Sequence, residues 1–247
     1  GVGWYRTEFD VPQFQAGKRA TILFDGAMSH ANVYINGQKV GYWPYGYNSF
    51  HFDITKYLKP GEKNTLAVRL ENLPESSRWY PGAGLYRNVH LIITEDAYIP
   101  VWGTYITTPS VNEKFAKVNV RTKVVLPEGA DPAKYSVETS VWNPNKQKLT
   151  AVRTSLAQMK YNNNQAEQEF VIQAPSLWSP EMPALYSAET RLYEGDKLKD
   201  IYTTPFGIRS IEIIPDKGFF LNGKRTVFKG VCNHHDLGPL GAAVNDA

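Results

Sequence analysis

The 247-residue sequence contains one cysteine, Cys232, which excludes an internal disulfide bond. It has no apolar run near the ~20 residues that a transmembrane helix needs. Its formal net charge is only +3, and no cluster of Lys and Arg marks a surface for nucleic acid or acidic lipid. We therefore expect neither a membrane nor a nucleic acid as a partner.

The sequence also lacks a starting Met and a recognisable signal peptide, and strand-like alternation begins almost at once. We therefore expect its beginning to be trimmed. What the sequence does contain is a hydrophobic fraction of 42%, which is enough for folded cores. A length of 247 residues suits about two domains of ~100–150 residues each.

Short stretches in which apolar and polar residues alternate fill the first hundred positions, and this period is typical of half-buried β-strands. In the first stretch Tyr5 and Phe9 fall on one face, with Trp4 and Arg6 on the other. Turn signals such as Asn36-Gly37 separate the stretches, because both residues tolerate the positive φ of a tight hairpin. The pattern predicts a sandwich of antiparallel sheets.

The alternation restarts after about residue 97 and continues as a second series of strands to about residue 206. Regular turn signals over roughly 100 residues predict an immunoglobulin-like sandwich, here without a cysteine pair. The remainder, 207–247, carries a second hairpin signal at Asn222-Gly223 and an apolar run over 227–231. We expect that run to be a strand, with Cys232 as a small buried side chain.

The apolar run is followed by His234, His235 and Asp236. Polar residues at the carboxyl end of a core strand are typical of the functional mouth of a parallel barrel. The pattern argues against a metal site, because adjacent residues of a strand point to opposite faces. It also argues against a hydrolytic triad, because the sequence has no nucleophile elbow. A sugar-binding role fits these residues better; the alternative is that hydrogen bonds within the protein satisfy the histidines.

The most unusual loop is Ser76-Ser77-Arg78-Trp79-Tyr80-Pro81-Gly82-Ala83-Gly84-Leu85-Tyr86-Arg87. Its Pro and Gly residues fix a bend and let the backbone pass closely. Arg78 offers several donors to sugar hydroxyls, and Trp79 offers a surface on which the apolar face of a pyranose can stack. The alternative is that the aromatic side chains of the loop plug the core of the sandwich.

Hydrolysis of a glycosidic bond needs two carboxyl groups that flank the bond, about 5–10 Å apart. The sequence marks no such pair: Glu71 and Glu75 lie near a strand end, but nothing distinguishes them. The histidines His30, His51 and His90 are isolated in the sequence and are assigned no role. On its own residues, the chain does not look catalytic.

Taken together and in order, the motifs resemble glycoside hydrolase family 2 over nearly the full length. Each motif alone is modest, but the ordered set is specific. The pieces that carry the resemblance include Gly3-Trp4-Tyr5-Arg6, Val33-Tyr34-Ile35-Asn36-Gly37-Gln38-Lys39-Val40-Gly41, Trp79-Tyr80-Pro81-Gly82-Ala83-Gly84-Leu85-Tyr86-Arg87, Phe206-Gly207-Ile208-Arg209 and Lys229-Gly230-Val231-Cys232-Asn233-His234-His235-Asp236. Within the family, the motifs look most like those of bacterial β-galactosidases. β-Glucuronidases and β-mannosidases share the same order of domains.

The resemblance implies an all-β chain with three parts. A jelly-roll, galactose-binding-like sandwich occupies 1–97, an immunoglobulin-like sandwich occupies 98–206, and 207–247 forms the first hairpin and strand of a truncated TIM barrel. In the family, retaining hydrolysis uses two glutamates from later barrel strands, so no catalytic residue can be carried over to this chain. No cofactor is implied. The acidic loop residue that helps some members bind an alkali cation is replaced by Ser77 and Arg78, so no metal site is expected.

The resemblance further implies that Arg78, Trp79, His234 and Asp236 contact substrate. The expected function is that of the non-catalytic N-terminal part of a retaining exo-glycosidase for terminal β-galactosides, inactive by itself. Carbohydrate is the expected partner, the full-length enzyme is expected to form a homo-oligomer, and the expected location is periplasmic or secreted, with the cytoplasm second. The alternatives are a stand-alone carbohydrate-binding or adhesion module, and the same region of a β-glucuronidase or β-mannosidase.

Overall fold

The computed structural model describes residues 1–13, 17–75, 82–157 and 165–232. Across these ranges the chain is nearly all β, which confirms the predicted fold class; its only helices there are the 3-10 turns Thr55–Tyr57 and Pro132–Lys134. Within the same ranges, no helix is long and apolar enough to cross a membrane. The chain divides into two compact units, one including Gly1–Thr94 and the other Glu95–Gly230. The expected domain boundaries after 97 and 206 stay predictions.

The first unit is a sandwich of two antiparallel sheets. One sheet has four strands in the order β1-β6-β3-β4, and the other has three in the order β5-β2-β7. The strands are β1 (Val2–Asp10), β2 (Arg19–Phe24), β3 (Ala31–Ile35), β4 (Gln38–Trp43), β5 (Phe50–Asp53), β6 (Lys63–Glu71) and β7 (Val89–Thr94).

Alternation along the strands places one face of each sheet in a common core. Strand β3 buries Ala31, Val33 and Ile35, and the residues between them stay half-exposed. The rings of Phe24 and Phe50, from the three-stranded sheet, stack with their centroids 4.8 Å apart inside the sandwich. Burial of such side chains is the main favourable term in folding, at roughly 25 cal/mol per Å² of apolar surface.

The predicted Asn36-Gly37 hairpin joins β3 to β4, and both residues have positive φ, at 50° and 80°. The Asn36 side chain also fixes the neighbouring strand. Its Nδ2 donates to the Tyr57 carbonyl (2.9 Å), and its Oδ1 accepts from the Thr65 amide (2.9 Å). This asparagine therefore serves both the turn and the attachment of β6.

The second unit contains three antiparallel sheets. Two belong to the immunoglobulin-like sandwich, in the orders β11-β10-β13-β14 and β12-β9-β8, and the third is β15-β16-β17. The strands are β8 (Thr104–Val111), β9 (Phe115–Lys123), β10 (Tyr135–Trp142), β11 (Lys148–Ser155), β12 (Gln165–Gln173), β13 (Tyr186–Glu194), β14 (Lys197–Phe206), β15 (Ile211–Ile214), β16 (Gly218–Leu221) and β17 (Lys224–Arg225).

A buried lysine ties the beginning of this unit to strand β14. The Lys199 side chain is only 5% exposed, and its Nζ lies 2.6 Å from Asp96 and 3.5 Å from Glu194. Tyr135 donates a hydrogen bond to Glu194 (3.3 Å). The hydrogen bond with Lys199 lowers the pKa of Asp96, and the same bond raises the pKa of Lys199.

The loop around Trp178 holds the last sheet in place. Asn222 in the β16–β17 turn has φ 52°, as the hairpin signal predicts, and its Nδ2 donates to the Trp178 carbonyl (3.0 Å). Its Oδ1 accepts from the Ser210 amide (3.0 Å). Gly207 lies where an added Cβ would be 3.0 Å from Trp178, which explains the small residue at this position.

Two expectations for the end of the chain are wrong. Residues 227–231 form no strand in the structure, and Val227, Phe228 and Val231 are exposed. Cys232 is exposed as well, not buried. The reason is that a strand is stabilised by hydrogen bonds to a neighbour, and no described strand lies beside this run.

We expect Lys199→Met to lower the free energy of unfolding at pH 7 by about 1–2 kcal/mol, because two carboxylates lose their ammonium partner. Asp96 and Glu194 keep about 40% of their side-chain surface exposed, so water partly compensates the loss. Chemical denaturation measures the change. Lys197→Met, an exposed lysine two residues away on the same strand, is the matched control and should change little.

The loss should also depend on pH. A lowered pKa of Asp96 stabilises the fold above the ordinary value of about 3.9, and this stabilisation disappears as the pH falls through the lower folded value. The raised pKa of Lys199 stabilises the fold below about 10.4 and is lost above it. The Lys199→Met penalty should therefore be largest between about pH 5 and 9 and shrink below pH 4. An equal penalty at pH 3 and pH 7 would contradict this assignment.

Candidate functional site

All four predicted site residues, Arg78, Trp79, His234 and Asp236, lie outside the described residues. The structure does describe the chain on both sides of the first pair, up to residue 75 and again from residue 82. Those flanks locate the end of the first unit from which the predicted loop departs.

Both flanks are held by the same short segment, Met28–Ser29. The Met28 amide donates to the Gly84 carbonyl (3.0 Å), and the Gly84 amide donates to the Met28 carbonyl (3.1 Å). On the other side, the Glu71 amide donates to the Ser29 carbonyl (2.9 Å), and the Ser29 hydroxyl donates to the Glu71 carbonyl (2.8 Å). The end of β6 and the returning chain are therefore fixed next to one another.

Glycines allow tyrosine side chains to pack directly against this backbone. Gly84 has φ 100°, and an added Cβ there would lie 2.2 Å from the Tyr5 hydroxyl oxygen. An added Cβ on Gly26 would lie 2.6 Å from the Tyr86 hydroxyl oxygen. That hydroxyl donates to the Gly46 carbonyl (2.7 Å), so Tyr86 joins the returning chain to the β4–β5 loop.

Four tyrosines, Tyr42, Tyr45, Tyr47 and Tyr86, surround this end of the unit, and we call them the tyrosine rim. The rings of Tyr45 and Tyr47 meet edge to face with centroids 5.7 Å apart, and both are exposed. The Tyr42 hydroxyl lies 2.6 Å from Nδ1 of His30. Burial raises the pKa of Tyr86, and the nearby Tyr45 and Tyr47 reinforce the rise against the opposing charge of Arg87. Tyr86 therefore stays a neutral hydroxyl donor at ordinary pH.

The tyrosine rim has the chemistry of a carbohydrate surface. A pyranose ring presents apolar C–H groups on its faces and hydroxyls around its edge, so it is matched by exposed aromatic rings with polar tips. Beside the rim, a cleft of about 260 Å³ opens between Tyr5, Leu70 and Gly84. Within the described part of the chain, no group of His, Cys, Asp and Glu could hold a metal ion.

One described carboxyl group has a raised pKa, but its surroundings give it a structural role. Burial raises the pKa of Asp200, while hydrogen bonds from two backbone amides act in the opposite direction. One carboxylate oxygen accepts from Ile99 (2.8 Å) and the other from Ile201 (2.9 Å). With both oxygens occupied by backbone donors, Asp200 joins the beginning of the second unit to β14.

The tyrosine rim was not predicted from the sequence. Two histidines that are isolated in the sequence have partners in the fold: His30 pairs with Tyr42, and His90 lies 3.0 Å from the Asp25 carboxylate. The sequence signal that could have revealed the rim is the close spacing of Tyr42, Tyr45 and Tyr47 after a hairpin. Exposed aromatic side chains add little to the stability of a surface loop, so a group of them indicates a binding surface.

The sequence of the chain is similar to those of several glycosidases. A β-galactosidase of Bacteroides ovatus is 43% identical over 246 residues, covering 99% of this chain and 29% of that protein. A β-glucuronidase of Bacteroides fragilis is 34% identical, covering 99% of this chain and 36% of that protein. The chain thus spans about a third or less of the length of the relatives it matches.

Solved structures agree with the fold. A glycosyl hydrolase family 2 member from Bacteroides cellulosilyticus superposes with a TM-score of 0.89 at 35% identity, covering 99% of this chain and 31% of that one. A β-glucuronidase of Bacteroides uniformis gives 0.84 at 30% identity, covering 100% of this chain and 31% of that one.

Two family models together account for most of the sequence. The sugar binding domain of glycosyl hydrolases family 2 matches residues 1–95, which contain the sandwich and its tyrosine rim. A second model of glycosyl hydrolases family 2 matches residues 98–209. The chain therefore belongs to glycosyl hydrolase family 2.

Proposed function

We propose that this chain is the non-catalytic N-terminal part of a retaining exo-glycosidase that hydrolyses terminal β-galactosides. The observation that carries the proposal is the 43% identity to a β-galactosidase, which extends over 99% of this chain but only 29% of that relative. Such a match supports a shared domain arrangement across the whole described chain.

In this proposal the first unit presents carbohydrate to an active site that other parts of the enzyme complete. The match of residues 1–95 to a sugar binding domain supports carbohydrate as the ligand. The tyrosine rim supports the loop end as the face involved, because Tyr45 and Tyr47 are exposed there. Arg78 and Trp79 belong to the segment that leaves this end, and we propose them as substrate contacts, together with His234 and Asp236.

The catalytic carboxyl groups are proposed to lie in other parts of the enzyme. Retaining hydrolysis needs two carboxyl groups about 5–5.5 Å apart, one of them kept protonated by a raised pKa. The described carboxyl group with a raised pKa, Asp200, has both oxygens engaged by backbone amides and is unsuited to the role of acid catalyst.

The last sheet supports the proposal of a further domain. Ile211 and Ile213 of β15 alternate onto one face, where they are 56% and 78% exposed. Phe219 and Phe228 pack nearby with ring centroids 4.6 Å apart, and Phe228 is largely exposed too. Apolar residues exposed as a group mark a surface that another part of a protein covers. We propose that a catalytic barrel covers this face.

A second candidate activity is β-glucuronidase, because relatives named as such are 34–38% identical over nearly the whole chain. The two substrates differ at two positions of the sugar: the C4 hydroxyl has the opposite configuration, and C6 is a carboxylate in glucuronides but a hydroxymethyl group in galactosides. Comparison of nitrophenyl β-galactoside and β-glucuronide hydrolysis by the full-length enzyme separates the two. We expect the galactoside to have the higher kcat/KM, and the reverse order would establish the second candidate.

The purified 247-residue chain should release no nitrophenol from a β-galactoside above the rate of a buffer blank, because it lacks the two carboxyl groups in this proposal. The full-length enzyme, assayed in parallel, should turn over the same substrate. Robust hydrolysis by the chain alone would overturn the assignment. Absence of hydrolysis by either protein would overturn the proposed activity.

Trp79→Ala in the full-length enzyme should lower kcat/KM for the galactoside at least tenfold, while the melting temperature stays near that of wild type. Tyr135→Phe is the contrasting variant. It removes the hydrogen bond to Glu194 in the second unit, so it should cost about 1 kcal/mol of stability and leave kcat/KM within a factor of about two. A large fall in melting temperature with normal kinetics for Trp79→Ala would place Trp79 in the core instead.

Ile213→Asp tests the proposed contact of β15 with a further domain. In the 247-residue chain the side chain is 78% exposed, so the substitution should change stability by less than about 0.5 kcal/mol. In the full-length enzyme the buried, unpaired carboxylate should cost several times more. Val171→Asp, at an exposed position of β12, is the control and should be mild in both proteins. An equally mild effect of Ile213→Asp in both would contradict a covered face.

A further inference from the structure

We propose that the outward side of the four-stranded sheet, around Trp4 and Tyr34, binds a glycan that carries carboxylate groups. This surface is separate from the tyrosine rim except at Tyr42, and we call it the outer face. The proposal goes beyond the hydrolytic function and does not rest on it, because it concerns binding by this chain alone.

Strand register defines the outer face. Leu66, Val68 and Leu70 of β6 are buried in the core, so Ala67 and Arg69 point outward between them. Cross-strand pairing then places two rows of side chains on this side of the sheet. The first row is Trp4, Arg69, Asn32 and Tyr42, and the second is Arg6, Ala67, Tyr34 and Lys39.

An aromatic surface lies at the centre of these rows. Trp4 is 60% exposed, and its ring centroid lies 5.6 Å from that of Tyr34 at an interplanar angle of 38°. Their strands are separated by β6, a backbone separation of roughly 10 Å. The two rings therefore lean toward one another across Ala67, whose methyl group leaves room for them. Together they offer a continuous apolar surface for the C–H face of a sugar ring.

Hydrogen-bonding groups border the rings and are already held in place. Arg69 forms a charged hydrogen bond to Glu71, which leaves other N–H donors of its guanidinium group for a ligand. Asn32 donates through Nδ2 to the His30 carbonyl (3.1 Å), which orients its carbonyl oxygen as an acceptor. Groups fixed before binding lose little conformational entropy when a ligand arrives.

The distribution of charge favours an anionic ligand. The carboxylates of this face are Glu8, Asp10 and Glu71: Glu8 lies 4.0 Å from Lys63, Asp10 is the cross-strand partner of Lys63, and Glu71 pairs with Arg69. Arg6 and Lys39, in contrast, have no carboxylate within ion-pair distance among the described residues, and they stand at opposite ends of the second row. With β1 and β4 three strand spacings apart, the two cations are roughly 14 Å from each other at the backbone. Tyr34 lies between the two cations, and Trp4 leans toward it from the neighbouring row. An aromatic surface beside two separated cations suits a chain of several sugars with carboxylates, such as a polyuronate.

Binding of oligogalacturonate to the 247-residue chain, followed by titration calorimetry and by Trp fluorescence, tests the proposal. We expect saturable binding that weakens as salt is raised, since charge contributes to it. Trp4→Ala and Arg6→Ala should each weaken binding about fivefold to tenfold. The matched controls are Tyr105→Ala, equally exposed at 60% but on the second unit, and Lys197→Ala, and both should bind within a factor of two of wild type.

Three results would overturn the proposal. One is a β-1,4-galactan of similar length binding as tightly as oligogalacturonate, which would remove the role of the carboxylates. Another is an equal loss in the control variants, which would mean non-specific attraction to a basic protein. The third is absence of saturable binding. If the chain instead forms a dimer that Trp4→Ala abolishes, the outer face is a protein contact. Thermal melts of all four variants confirm that each remains folded.

Discussion

Backbone pairing of the Met28–Ser29 segment is the constraint on which the loop end of the first unit depends. Met28 exchanges two hydrogen bonds with Gly84, while Ser29 binds Glu71 through both its carbonyl and its hydroxyl. Each bond adds only about 1 kcal/mol net. Their importance lies in position, because they decide where β6 releases the chain and where the chain returns. Any side chain carried by the segment between them is presented from that fixed base.

The tyrosine rim depends on the same base through close packing. Glycines at positions 26 and 84 let the hydroxyls of Tyr86 and Tyr5 approach where a Cβ would collide. Tyr86 then reaches the Gly46 carbonyl and fixes the β4–β5 loop that carries Tyr45 and Tyr47. The β4–β5 loop is thus held in place although it has no hydrophobic core of its own. Binding residues are commonly carried on loops that a rigid scaffold positions in this way.

The sequence predicted the strands and turns well, because alternation and Asn-Gly pairs are local signals. Asn36 and Asn222 both adopt the positive φ that this dipeptide implies. Interactions between distant residues left no such signal. The pairing of His30 with Tyr42, and the burial of Lys199 between two acids, arise only when strands come together. Where no neighbouring strand is described, as over residues 227–231, an apolar run that resembles a strand does not form one.

The exposed apolar surfaces of the two units differ in their surroundings, and this difference separates their proposed roles. Ile211 and Ile213 form an aliphatic face, which supports contact with another protein surface because aliphatic groups offer shape but no directional bonds. Trp4 and Tyr34 lie instead among the fixed donors and acceptors of Arg69 and Asn32. A covering protein domain would have to desolvate those polar groups, which costs free energy unless each one is matched. A glycan supplies hydroxyls and carboxylates at the same positions, so it satisfies the polar groups while its C–H faces cover the rings.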